Sequence, residues 1–368
     1  MNETEVENPD LEDTPMTKRL VICFDGTWND SDLDEQSTNV LRLYRSILGA
    51  DTVGLGNTSE KPPSIETVKW YDQGVGTNWG EKLRGSLGYG LSENIRQGYK
   101  VLADHYVPGD EVYLFGFSRG AYAARSLAGF IRNVGLVNRD MPDYEKLIEE
   151  GYDIYREHDA GPDTPAAVEF RESNSWEEFK IKFVGVWDTV GALGVPIDAL
   201  SSLNERYAFH DTKLSRIIEN AFHAVAIDEH RKEYKSAMWN SPSKEGQTVE
   251  QVWFTGAHSD VGGGSNKPWF SNIGLWWMQD QARLAGRGLE FDPDAPQGFD
   301  EKFWTRPPSD SYKDMFWGFY SWLAGMFGGG RFLRSIGALS DGYESIHDTA
   351  SQKMTRDSNY NPQNPGLR

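Results

Sequence analysis

The chain has 368 residues, with 37 Lys and Arg against 56 Asp and Glu, for a net charge of −19. This length suits one large α/β domain with a sizeable core, and the negative balance argues against nucleic acid as a partner. The single cysteine, Cys23, excludes an internal disulfide, and no run of about eighteen apolar residues suggests a membrane span.

Residues 1–17 carry Glu3, Glu5, Glu7, Asp10, Glu12 and Asp13 together with Pro9 and Pro15, and no base. They read as a disordered acidic tail. No basic stretch followed by an apolar run opens the chain, so no signal peptide is expected. The expected location is the cytoplasm, with export by a route that reads no N-terminal signal left open.

The folded domain is expected over 18–350. Arg19 to Phe24 reads as a buried strand, closed by Asp25-Gly26-Thr27. Val40, Leu41, Tyr44, Ile47 and Leu48 follow a helical period. Thr67 to Tyr71 is a second strand, and Ile95 to Tyr106 a helix that stops before Pro108. Residues 138–176 and 300–335 suit cap-like insertions. Phe179 to Trp187 is a strand ending at Asp188, and Leu214 to Ala226 is expected to be helical. Val249 to Phe254 is a strand running into Gly256-Ala-His258-Ser-Asp260. Ile273 to Ala285 is a Trp-rich helix, and 351–368 a polar tail. Strands alternating with helices predict a mostly parallel central sheet flanked by helices.

The most informative segment is Val112 to Arg125: an apolar strand, then Gly116-Phe-Ser118-Arg-Gly120, then an Ala-rich helix. Strand, Gly-x-Ser-x-Gly turn and helix, in that order, form the context of a nucleophile elbow. Active groups of an open parallel sheet gather at the carboxyl ends of its strands. Three such ends carry chemistry here, in the order Ser118, Asp188, His258. That is the chain order of α/β-hydrolase triads. Ser118 would attack, His258 would carry the proton, and Asp188 would fix the imidazole. His347 is the alternative base, because a triad histidine often sits in a late loop. His258 is preferred because it directly follows a buried strand. The oxyanion hole is expected from the N–H of Arg119 and from the Gly26-Thr27 turn, where Gly26 allows close approach. Asp25 and Asp260 read as acids that fix loops.

No metal site is expected. Asp228, His230, His258 and Asp260 match no standard ligand spacing, so no cofactor is expected; Ca²⁺, which the spacing does not support, is left open. Phe24-Asp-Gly-Thr27 resembles the signature of haloacid-dehalogenase-type phosphatases, but Cys23 occupies the place of their nucleophilic Asp.

Five segments together carry a wider resemblance: Phe24-Asp-Gly-Thr-Trp-Asn29, Gly116-Phe-Ser-Arg-Gly-Ala121, Gly185-Val-Trp-Asp-Thr-Val-Gly191, Ala226-Ile-Asp-Glu229 and His258-Ser-Asp-Val-Gly-Gly263. With them the chain resembles the uncharacterised α/β-hydrolase domain family that includes phospholipase effectors of bacterial type VI secretion. The match covers 19–290, with a weaker one at Ser345-Ile-His347. The resemblance implies an α/β-hydrolase fold, the Ser118-Asp188-His258 triad and phospholipase A-type ester cleavage.

The first expectation is therefore a serine hydrolase of carboxylic esters, acting on lipid acyl chains. Met315 to Phe327, rich in Trp, Phe and Tyr, is its sequence support for a lipid and suits a cap helix or a transient membrane contact, and equally a helix packed into the core or a dimer contact. Two alternatives stand beside it: a non-catalytic binding protein on a hydrolase scaffold, and a hydrolase of an amide, thioester or polyester. A histidine base predicts activity that falls below about pH 6 to 6.5. The oligomeric state is not legible.

Overall fold

The computed structural model describes residues 17–26, 37–74, 85–157, 161–191, 214–240, 243–295, 299–314, 330–339 and 343–367, with 85–89 and 314 as backbone. In chain order these form β1 (Arg19–Phe24), α1 (Asn39–Ser46), β2 (Ala50–Asp51), β3 (Thr67–Asp72), α2 (Gly85–His105), β4 (Glu111–Phe117), α3 (Arg119–Val134), α4 (Tyr144–Arg156) and α5 (Pro165–Asn174). There follow β5 (Ile181–Trp187), β6 (Ile218–Ala226), β7 (Thr248–Phe254), α6 (His258–Gly262), α7 (Pro268–Leu284), α8 (Lys302–Thr305), α9 (Ser311–Asp314), β8 (Glu344–Ile346) and α10 (Asp348–Arg356). The expected α/β fold is observed. The strands lie in the order β2-β3-β1-β4-β5-β6-β7-β8, and every described pairing between these strands is parallel.

Both faces of this sheet are buried, which is why its central strands are nearly continuous apolar runs. On one face Leu20, Ile22 and Phe24 of β1 and Val112 and Leu114 of β4 pack under α2 and α3. On the other, Val21, Cys23, Tyr113, Phe115 and Phe117 pack under α1 and α7. The chain leaves β1 toward β2 and β3 on one side, and β4 lies on the other. The strand order therefore reverses between β1 and β4, and the crevice outside their carboxyl ends is a topological switch point.

Three expectations are corrected. Residues 218–226 are strand β6, not helix. Ala221, Phe222, Ala224, Val225 and Ala226 are buried in a strand bonded to β5 and β7, and a strand covered on both faces shows no alternation to tell it from a helix. Residues 351–367 are no free tail. Lys353 of α10 is fully buried and its Nζ donates to the carbonyls of Phe303, Trp304 and Arg306, while Tyr360 and Asn364 are also buried. Residues 144–156 and 165–174 form α4 and α5, which join the helical layer on α3 rather than standing over the strand ends as a cap. The acidic segment 1–16 and the aromatic segment 315–327 lie outside the described residues.

Candidate active site

The switch point is where chemistry-bearing side chains gather. β4 ends at Phe117, and α3 starts at Arg119, so Ser118 alone makes the corner. Its backbone sits at φ 59°, ψ −120°, a region that side chains rarely enter. The flanking glycines permit this. A Cβ on Gly120 would come within 2.2 Å of the Phe24 carbonyl oxygen, and one on Gly116 within 2.5 Å of the Gly120 carbonyl oxygen. Ser118 N–H donates to the Trp187 carbonyl at 3.0 Å, tying the corner to the end of β5.

Asp188 follows β5 in a second positive-φ corner, at φ 37°. Only Asp143 joins these two among the described non-glycine residues, so two of the three strained corners are at this site. His258 opens α6 just past β7. His258 Nε2 lies 2.8 Å from Ser118 Oγ, and Nδ1 lies 2.6 Å from Asp188 Oδ2. The three residues are 9%, 7% and 0% exposed, in the order Ser118, His258, Asp188. Burial pushes the Asp188 carboxyl up, but the Arg334 and His258 charges and hydrogen bonds outweigh it and hold it well below the usual carboxylate range.

The expected oxyanion groups separate. The N–H of Arg119 is the first of α3, with no partner inside its own helix, and it adjoins Ser118. Gly26 is beside the serine: a Cβ there would lie 3.3 Å from Ser118 Cβ. Its N–H is already held by Asp25 Oδ1 at 2.6 Å, so Gly26 serves close approach and not donation. Thr27 lies outside the described residues. Asp25 itself is buried and accepts from Thr38 Oγ1 and Tyr71 OH; burial raises its carboxyl to about 6 against those bonds. It braces the turn, as an acid in a loop often does.

Against this geometry, a family profile described as "T6SS, Phospholipase effector Tle1-like, catalytic domain" matches residues 18–281. The chain belongs to that family. An uncharacterised protein of Saccharomyces cerevisiae is 31% identical over 242 residues, which is 59% of this chain and 32% of that protein. Two solved structures are similar in part. An uncharacterised protein from Pseudomonas aeruginosa aligns over 72% of this chain and 45% of its own, at 19% identity and a TM-score of 0.41. The Tle1 effector bound to the VgrG spike of the type VI secretion system aligns over 67% and 51%, at 20% identity and a TM-score of 0.38. The chain thus spans about a third of the yeast relative and about half of each solved chain.

Ser118, Asp188 and His258 all fall inside the Tle1-like domain. His347 falls beyond it and is not brought to Ser118. Its ring stacks on Phe254 at 4.7 Å, and its Nδ1 takes the Thr349 N–H as N-cap of α10. Asp260 accepts from the Ala257 N–H at 3.2 Å and from Ser309 N and Oγ at 2.7 and 2.8 Å, which fixes the turn around His258.

Several groups around the trio were not legible in the sequence. Glu229 is fully buried; its carboxylate takes the His258 N–H at 3.3 Å and is forked by Arg231 Nε and Nη2, both at 2.8 Å. Burial raises this carboxyl, and the Arg231 bonds and charge outweigh it, bringing it down to about 2. His223, expected on a helix, lies on β6 with Nε2 accepting the Thr189 N–H at 3.1 Å. Burial, with the Arg125 charge, pushes it down to about 3, so it is a neutral structural group behind Asp188. Tyr234 meets the His258 ring edge to face at 5.0 Å, and Phe117 packs on it at 4.6 Å. No group of three or more His, Cys, Asp and Glu among the described residues could hold a metal ion. No described helix is long and apolar enough to cross a membrane.

Proposed function

We propose that this Tle1-like domain is a serine hydrolase of lipid acyl esters, of phospholipase A or esterase type, working through an acyl-enzyme. The observation that carries the reading is the continuous Ser118 Oγ, His258 Nε2 and Nδ1, Asp188 Oδ2 relay at 2.8 and 2.6 Å. Family membership supports the lipid ester.

Ser118 Oγ bonds to the ester carbonyl carbon as its proton passes to His258 Nε2. The carbonyl becomes an oxyanion, placed to meet the Arg119 N–H and the α3 N-terminus. The C–O bond then breaks, and Nε2 returns the proton to the leaving alcohol. Water repeats the sequence on the acyl-serine and frees the acid. Asp188 holds Nδ1–H throughout, so Nε2 faces the serine as acceptor. No step needs a metal or organic cofactor. The apolar, aromatic composition of Met315 to Phe327 suits contact with a lipid surface.

The test is labelling with a fluorophosphonate probe and mass mapping, on the wild type and on Ser118→Ala, followed by phospholipid and short-ester profiling. A single adduct on Ser118 with release of fatty acid from phospholipid is the expected result. A folded wild type that takes no label would favour the binding-protein alternative, and label without phospholipid turnover would favour another acyl bond.

A further inference from the structure

Asp188 has a partner that this reaction scheme leaves unused. Arg334 comes from the loop 330–339, beyond the residues matched to the family, and is 3% exposed. Its Nη1 donates to Asp188 Oδ1 at 2.5 Å and its Nη2 to Oδ2 at 3.0 Å, a two-point fork. The same nitrogens donate to the carbonyls of Ala226 and Tyr234, and the Arg334 carbonyl is held by Asn364 Nδ2. On Oδ1 the fork is joined by the Ala226 N–H at 3.1 Å, and on Oδ2 by His258 Nδ1.

We propose that Arg334 is a positioning residue of the hydrolase: it aims the Asp188 carboxylate at His258 Nδ1 and cancels its charge, and so sets the acid limb of the activity. The inference rests on the triad reading above. A fully buried carboxylate is costly without a counter-charge, and the Ala226 N–H and His258 Nδ1 give it one bond on each oxygen. The fork adds the counter-charge and a charge-assisted bond to each oxygen, which stiffens its aim. It also changes what a proton on His258 would feel. The two carboxylates facing His258 are Asp188 and Glu229, and each has an arginine of its own, Arg334 and Arg231. The rings of Tyr234 and Phe117 also pack on His258, with the neutral His223 behind Asp188 and the Arg119 charge near Tyr234. Arg125, over Trp239, adds a further positive charge on the His223 side. Take Arg334 away, and the bare Asp188 charge favours imidazolium. The base is then lost at a higher pH.

The structure also offers access. Arg334 lines a cavity of about 440 Å³ together with Lys235, Met238, Trp253, Phe332 and Leu339. Truncating the side chain would open its space to that cavity, and a small planar cation could refill it.

The experiment measures fluorophosphonate labelling and short-ester hydrolysis on the full chain from about pH 4.5 to 9, for the wild type, Arg334→Ala, Arg334→Gln and Arg334→Lys. The neutral variants are expected to lose about 10- to 1,000-fold in rate, with the acid limb displaced by about one pH unit upward. Arg334→Lys should return the limb toward its wild-type place. Millimolar guanidinium should raise the Arg334→Ala rate where equal NaCl or urea does not. If Arg334→Ala fails to fold, the limb of Arg334→Gln decides. Neutral variants that keep the wild-type limb, with no guanidinium response, would overturn the proposal and leave Arg334 a structural ion pair. A wild type that takes no label at Ser118 would instead overturn the triad reading.

Discussion

The Tle1-like stretch 18–281 and the remainder, 282–367, contribute to the site in different ways. The first supplies the proposed reacting groups on three strand ends, each beside a tight corner: Ser118 after β4, Asp188 after β5, His258 after β7. The second supplies braces behind those ends. Ser309 bonds Asp260, Arg334 bonds Asp188, Tyr360 OH bonds Asp228 at 2.9 Å, and Asn364 bonds the Ile227 carbonyl. Parallel strands can aim side chains from one edge, but loops must be held from outside, and here the later segment holds them. The comparison separates residues whose loss ends chemistry from residues whose loss loosens the frame.

The sharpest way to break it is Ser118→Ala, expected to lower kcat/KM by roughly ten-thousand-fold with little change in Tm. Retained turnover would end the distinction. Next is Glu229→Gln, read by unfolding free energy against pH. The folded carboxyl, at about 2, lies below its usual 4.5, so its contribution is present above about 4.5 and is lost as pH falls toward 2. The wild type should lose on the order of 3 kcal/mol over that window from this group, and the variant should show a shallower slope. An identical slope would mean that Glu229 is not held as a buried charge. Tyr360→Phe removes one bond to buried Asp228 and should cost about 1–2 kcal/mol, with kcat nearly unchanged. A larger loss in kcat than in stability would move this brace into the chemistry. The smallest effect is expected for His347→Ala: about 1 kcal/mol of stability from a lost cap and wild-type turnover. Loss of turnover comparable to that of Ser118→Ala would restore His347 as a rival base.

The elbow was legible because it is local. Gly116, Ser118 and Gly120 are needed within one turn, between an apolar strand and a helix, and the backbone demands them wherever they occur. The strand-end positions of Asp188 and His258 could be read for the same reason. β6 was misread because a strand buried on both faces has no period, and α10 because polar composition hides Lys353, which is buried by contacts with Phe303, Trp304 and Arg306.

The sequence by itself determined the α/β alternation, the elbow and the order serine, acid, histidine, since each follows from neighbours a few residues apart. Tertiary structure alone decided that His258 and not His347 faces Ser118, that Gly26 has its N–H taken by Asp25, and that Arg334 meets Asp188 across 146 residues. Those outcomes depend on where the sheet places distant loops, and no local pattern encodes a distance between them.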